Sequence, residues 1–311
     1  MSVLVVGDAN VDLEIRLPSD MHSETHANPD PQLFGGGSAA NTAAALARLE
    51  MACRFAGAVG DDSFGRFAVQ SLAEAGVDTD HVIVAPGEPT VTVIAIVPPD
   101  GDRLIYVWPP SGGAHGAFQP NDVVSAVTGS DWLHVSGICL RVEPARDAVL
   151  AAMQRARADG IPVSFDLNLR LENWGWEAGF REVAEAAVER ADVVLGAASD
   201  EIGALAGIHD PVEAAKALAT ESRLVVARLG AAGAVACSAG DVVAVPGFAV
   251  TVVDTVGAGD AFNAGFIAAR IRGEDLPGAV RWGNAVAGLT VSRAGARSSP
   301  TRNEVEELLG R

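Results

Sequence analysis

From Asp131 onward the chain alternates short apolar runs with segments of helical period. Trp132 to Val135 precedes Pro144 to Ala158, and Pro162 to Phe165 precedes Glu177 to Arg190. Further apolar runs lie at Asp192 to Leu195 and Arg223 to Ala227. A strand that is apolar at every position has no face for water and must be covered on both sides. Such strands alternating with helices build a parallel sheet with helices on both faces. Ser2 to Val6 is another run of this kind, ending at Gly7. The fold class that follows is α/β: a doubly wound, mostly parallel sheet flanked by helices. Hydrophobic residues are 49% of the 311, enough for a large core, but aromatics are only 5%, so Ala, Val and Leu must fill it. Large α/β folds run long, and residues 1–311 are expected to form a single domain.

Ligands of such sheets gather outside the carboxyl ends of the strands. Asp8, Asn10 and Asp12 follow the first strand and offer alternating polar side chains to a small polar ligand; a solvated turn is the plainer reading. Gly35, Gly36 and Gly37 precede a helix that runs from Ser38 through Asn41 to Leu49, either for close backbone approach or as a flexible cap. A third stretch passes from Val252 and Val253 through Gly257, Ala258 and Gly259 to Asp260 and a small-residue helix. Glycines there let backbone N–H groups turn to one point, and the helix dipole adds to them, which makes an anion site. Asp260 beside that site cannot be an anion binder. It suits a base that takes a proton from a hydroxyl while the amides hold the charge of a transferring phosphoryl group. Gly-x-Gly-Asp alone reads equally well as a helix with an acid in its first turn.

Residues 13 to 34 read as irregular, with Pro18, Pro29 and Pro31. Residues 90 to 97 and 103 to 108 are β-like runs around a turn at Pro98 to Asp102. Together, about 11–34 and 89–109 are expected to form a small β lid over the sheet edge. Tyr106 and Trp108 alternate and share a strand face. They face a ligand or they pack against a second copy in a homodimer.

The formal net charge of −18 argues against nucleic-acid and membrane-surface partners. Cys53, Cys139 and Cys237 lack metal-ligand spacing and suit a reducing cytoplasm. The amino-terminal run lacks the basic region of a signal peptide, so a cytoplasmic location is expected. The single lysine, Lys216, lies outside any Gly-x-x-x-x-Gly-Lys context, and Gly7 to Asn10 does not supply a dinucleotide fingerprint.

The string Asp254-Thr255-Val256-Gly257-Ala258-Gly259-Asp260 resembles the C-terminal signature of the ribokinase-like (PfkB) carbohydrate kinases. The likeness implies that Asp260 is the catalytic base and that Gly257, Ala258 and Gly259 form the anion hole. Gly36, Gly37 and Asn41, after Asp12, resemble the family's sugar-binding element, and Gly57 to Gly65 its N-terminal signature. Asn168 and Arg170 resemble the Asp-x-Asn-x-Arg element of fructokinase-like and keto-acid kinase members, where the Arg reaches the substrate; a surface salt bridge is the alternative for Arg170. Arg228, Gly230 and Gly233 resemble the nucleotide-side loop, and Asn284 an adenine-side position. Asp254, Val256, Ser292 and Gly295 match the region that holds a monovalent cation in relatives. The resemblance spans Gly7 to Gly295 and implies ATP, Mg²⁺ and a sugar as ligands, with K⁺ as an activating ion.

Three departures bear on the substrate and the metal. Ribokinases carry Lys where this chain has Ser38. The keto-acid kinases place Tyr-x-Arg in the lid, where this chain has Tyr106 and Trp108, so Trp108 offers an apolar face to a neutral sugar or a nucleobase. In the Asn-x-x-Glu element Glu201 is kept, as an indirect Mg²⁺ partner, and Ala198 replaces the Asn. A kinase for a primary hydroxyl of a small neutral sugar is expected, with a nucleoside kinase or a 2-keto-3-deoxygluconate kinase as alternatives. A non-catalytic sugar or nucleotide sensor is the alternative outside enzymes, and retention of Asp260 argues against it.

Overall fold

The computed structural model describes residues 1–17, 31–98, 104–110 and 112–310. The first half contains β1 (Ser2–Val6), β2 (Asn10–Arg16), β3 (Gln32–Gly36), α1 (Ser38–Arg48), β4 (Ala52–Gly60), α2 (Ser63–Glu74), β5 (Asp78–Ala85), β6 (Thr92–Val97) and β7 (Leu104–Trp108). Then come α3 (Pro120–Val124), β8 (Trp132–Ser136), α4 (Ala145–Ala158), β9 (Val163–Asp166), α5 (Leu171–Trp174), α6 (Ala178–Glu189), β10 (Val193–Ala197), α7 (Gly203–Ala206) and α8 (Pro211–Leu218). The chain closes with β11 (Leu224–Arg228), β12 (Ala234–Cys237), β13 (Val242–Val245), α9 (Ala258–Ile271), α10 (Leu276–Val291) and α11 (Arg302–Leu309).

Nine strands form the main sheet in the order β13-β12-β11-β10-β9-β8-β1-β4-β5. The seven from β11 to β5 run parallel, and β12 and β13 add an antiparallel edge. The strand period of two divides β1 between two cores. Val3 and Val5 pack with α1, α9 and α10 on one face, and Leu4 and Val6 pack with α4 and α6 on the other. That is the doubly wound arrangement expected from the all-apolar strands. The Ala-rich composition serves close packing of helices. A Cβ at Gly265 would lie 2.8 Å from the Trp282 carbonyl, and one at Gly283 would lie 2.8 Å from the Phe262 ring, so α9 and α10 meet through glycines. Phe266 is fully buried in the same seam, which contributes about 2–3 kcal/mol and anchors α9.

A second sheet of four strands, β3-β2-β6-β7, forms the expected lid. β2 pairs with β3 antiparallel and with β6 parallel, and β7 closes the sheet antiparallel to β6. Residues 13–16 and 32–34 were expected to be irregular and are strand instead, because their backbone groups find partners across this sheet. The expected turn at Pro98 to Asp102 and the middle of the 13–34 segment lie outside the described residues. β5, β12 and β13 were not legible in the sequence; β5 and β13 are the edge strands of the main sheet, where burial, and with it apolar patterning, is incomplete, and β12 is a buried run of only four residues. The approach to Gly257 is a loop. No helix among the described residues is long and apolar enough to cross a membrane.

Candidate active site

The chain leaves β1 outward to β4 and β5, then returns to β8 on the other side of β1. Strand order therefore reverses between β1 and β8, which opens a crevice at their carboxyl ends. Asp8 follows β1, Asn168 follows β9, Glu201 follows β10, and Arg228 ends β11. α1 and α9 deliver Asn41 and Asp260 to the same place.

Asp260 sits in the first turn of α9. Ser38 Oγ donates to its Oδ1 at 2.5 Å and Asn41 Nδ2 donates to its Oδ2 at 3.0 Å. Asn168 Nδ2 donates in turn to Ser38 Oγ. Burial pushes the Asp260 carboxyl up to about 6, against the lowering effect of the Ser38 and Asn41 hydrogen bonds. Arg170 adds a weaker lowering from its exposed position. Asn168 and Arg170 both hold left-handed backbone, φ 41° and 48°, a conformation that costs non-glycine residues about 1–3 kcal/mol and collects at functional sites.

Gly257 opens α9 with φ 79°, and no side chain caps the helix. A Cβ at Gly257 would stand 2.5 Å from the Ala296 carbonyl, so only glycine fits. The first-turn amides of a 14-residue helix thus have no side-chain partner and suit an external anion, although Ala258 N also donates to the Thr255 carbonyl at 3.3 Å. Arg228 packs behind them. It pairs with Asp166 through two hydrogen bonds of 2.9 and 3.1 Å, and its Nη1 donates to the Gly259 carbonyl at 3.2 Å and to Asn263 Oδ1 at 2.8 Å. Burial alone would raise the Asp166 carboxyl, but Arg228 outweighs it and holds the group ionised and low. Arg228 was expected on the nucleotide side; its Nη donors are directed to protein groups at and behind the first turn of α9.

Beyond β1, Asn10 Nδ2 donates to Asp12 Oδ1 at 3.0 Å, and any Cβ at Gly36 would fall on the Asp12 carboxylate. Burial pushes Asp12 up to about 6, with Arg297 opposing. Gly37 takes φ 96° as the N-cap of α1, and Asp8 receives the Ser38 and Ala39 amides at 2.8 and 3.2 Å.

Tyr106 and Trp108 do not join this cluster. Residues paired across the lid share a face. Trp108 pairs with Thr92 and Thr92 with Val11, whereas Asp12 pairs with Val93 and Val93 with Val107. Of the two readings of Tyr106 and Trp108, the register speaks against a ligand shared with Asp12: Ile105 and Val107 share the Asp12 face. All five residues of β7 are exposed.

The remaining expected positions divide in two. Asp254 receives Val256 N at 3.0 Å and Gly295 N at 3.1 Å, which brings together the loop before the anion hole and the segment after Ser292. Gly230 and Gly233 form the turn after β11, with φ 61° and 100°. Both amide donations of Asn284 go to the carbonyls of Val245 and Pro246, at 3.0 and 3.1 Å. Glu201 lies in a π-turn, and its two oxygens accept Leu169 N at 2.8 Å and Ala197 N at 2.7 Å. Among the described residues no three His, Cys, Asp or Glu side chains gather around a metal position. Ser38, Asn263 and Arg297 are site residues that the motif reading passed over. Ser38 stood within the glycine-rich element, but Asn263 and Arg297 belong to no spacing pattern.

A carboxylate poised beside an uncapped helix terminus, at the reversal point of a doubly wound sheet and under a β lid, defines a phosphotransferase acting on an alcohol group. The chain belongs to the pfkB family of carbohydrate kinases, whose model matches residues 1–302. It is 34% identical to a fructokinase of Vibrio alginolyticus over 320 aligned residues, covering 99% of each chain. It is 31% identical to a 5-dehydro-2-deoxygluconokinase of Geobacillus thermodenitrificans, covering 99% of this chain and 93% of the other. The structure of the Vibrio cholerae O395 fructokinase, bound to fructose, ADP and calcium, superposes with a TM-score of 0.83 at 32% identity, covering 99% of this chain and 98% of that one.

Proposed function

We propose that the chain, as one kinase domain, moves the γ-phosphoryl group of ATP onto a primary hydroxyl of a small neutral sugar, in the manner of fructokinases and ribokinases. Asp260 carries the reading: a half-buried carboxylate in the first turn of an uncapped helix, both oxygens held by the substrate-side residues Ser38 and Asn41. Asp260 takes the hydroxyl proton, and the amides of residues 257–259 hold the charge that develops on transfer. Asp12, Gly37 and Asn41 orient the sugar. ATP bound with Mg²⁺ supplies the phosphoryl group and neutralises its oxygens. The residues fit an ion delivered with the nucleotide, because both Glu201 oxygens already serve backbone amides and Mg²⁺ keeps several waters and binds through phosphates. Asp254, Val256, Ser292 and Gly295 are the proposed K⁺ segment, and Gly230, Gly233 and Asn284 shape the proposed nucleotide side.

Substrate charge follows from the cations. A buried substrate carboxylate or phosphate needs a partner. Arg228 is committed to Asp166, and Arg297 to Asn41, Ser71 and the Gly36 carbonyl, which leaves exposed Arg170 among the arginines that act on Asp260. The test is ADP release with fructose, ribose, 5-dehydro-2-deoxygluconate, 2-keto-3-deoxygluconate and nucleosides. A neutral sugar is expected to give the highest kcat/KM; preference for an acid sugar overturns the charge argument and leaves the kinase reading intact. Asp260→Asn should cut turnover by roughly 10²–10⁴-fold while ATP binding persists. Near-wild-type turnover would remove Asp260 from the mechanism, and sugar-insensitive nucleotide binding without ADP release would point to a sensor. Tyr106 and Trp108, exposed and facing away from Asp12, are proposed as a contact with a second copy in the cytoplasm, checked by sedimentation of Trp108→Ser.

A further inference from the structure

Arg297 is a half-buried cation that the proposed chemistry leaves without a task. Its Nε donates to Asn41 Oδ1 at 3.2 Å, its Nη1 to Ser71 Oγ at 2.7 Å and its Nη2 to the Gly36 carbonyl at 3.0 Å. One guanidinium thus joins α1, α2 and the end of lid strand β3. Gly35 leaves room for it, since a Cβ there would fall on the guanidinium. The residues just before it reach the other half of the site. Ala296 abuts Gly257 of the anion hole, and Gly295 N is held by Asp254. Burial lowers Arg297 only to about 10, so it keeps its charge at neutral pH.

We infer that Arg297 is a positioning residue for phosphoryl transfer: it fixes which way the Asn41 amide points and ties the root of the lid to the anion-hole segment. A side-chain amide can present either its oxygen or its NH₂ to a neighbour. Towards Asp260 the NH₂ is attractive and the oxygen repulsive. A guanidinium has no acceptor, so it binds the Asn41 oxygen and leaves the NH₂ facing Asp260. The hydrogen bond to Gly36 sets the strand end that packs on Asp12. The inference rests on Asp260 as the base, and its test separates the two.

Arg297→Met keeps the apolar stem and removes every donor. Turnover is expected to fall about 10- to 100-fold, with KM for the sugar raised and nucleotide affinity by calorimetry unchanged within about twofold. Asn41→Ala should lose a similar factor, and the double variant should be no slower than Asn41→Ala alone, because the two residues act in series. Arg297→Lys keeps the charge but reaches fewer acceptors, and should turn over between wild type and the Met variant; it also serves if the Met variant does not fold. Wild-type turnover in both variants, or losses that multiply in the double variant, overturns the inference. If Asp260→Asn stays active, the base assignment fails, and coupling of Arg297 to Asn41 in calorimetric sugar affinity still decides the role of Arg297.

Discussion

Ser38→Ala probes the base through its shortest contact. Ser38 Oγ donates to Asp260 Oδ1 at 2.5 Å, with the hydroxyl oriented by Asn168. A hydrogen bond to a charged group is worth about 1.5–3 kcal/mol. That bond favours the ionised carboxylate, and each 1.36 kcal/mol is about one pKa unit. The carboxyl starts at about 6. Deleting the hydroxyl should therefore raise it by about one to two units. The sign is unambiguous, because the base works only when ionised. Activity is present above the pKa and is lost as pH falls through it. The wild-type acid limb of kcat/KM belongs near pH 6 and the variant limb higher. At pH 7 the ionised fraction would fall from about nine-tenths to between roughly one-tenth and one-half. The assay is kcat/KM from pH 5 to 9 with the preferred sugar. The pH-independent plateau should be largely recovered at high pH. A limb that stays within about 0.3 units of wild type refutes the claim that Ser38 holds the charge of Asp260.

Three further outcomes follow from the geometry. Arg228→Met leaves Asp166 buried without its partner, which should cost about 3–5 kcal/mol, read as a fall in the urea midpoint. Gly36→Ala places a methyl on the Asp12 carboxylate and should raise KM for the sugar while nucleotide affinity holds; an unchanged KM would detach Asp12 from the sugar. Potassium should raise turnover over a bulky organic cation at matched ionic strength, because Asp254 links the loop before the anion hole to Gly295; equal rates would count against that ion site.

Most of the core architecture was legible in the sequence because burial on both faces leaves an all-apolar signature. β1, β8, β9, β10 and β11 and the helices between them follow from it. The glycine-rich N-terminus of α9 was legible for a different reason. Gly257, Ala258, Gly259 and Asp260 are contiguous, and a helix N-terminus is a local structure whose amides need no distant partner. Asp12 in β2, Gly36 at the end of β3 and Asn41 in the first turn of α1 were singled out by the family resemblance of their short motif.

What only the tertiary structure decided are relations across long separations. Asp260 meets Ser38 over 222 positions, Arg228 meets Asp166 over 62, and Arg297 meets Asn41 over 256. No periodicity connects such residues, because hydrogen bonding between distant side chains depends on how α1, α9 and the strand ends pack. The lid shows the same limit. Alternation correctly put Tyr106 and Trp108 on one face of a strand, but which face depends on the register of β7 against β6 and of β6 against β2. A shift of one residue in that pairing would exchange the two faces, so the sequence determined that the pair act together, and the assembled sheet determined that they turn away from Asp12.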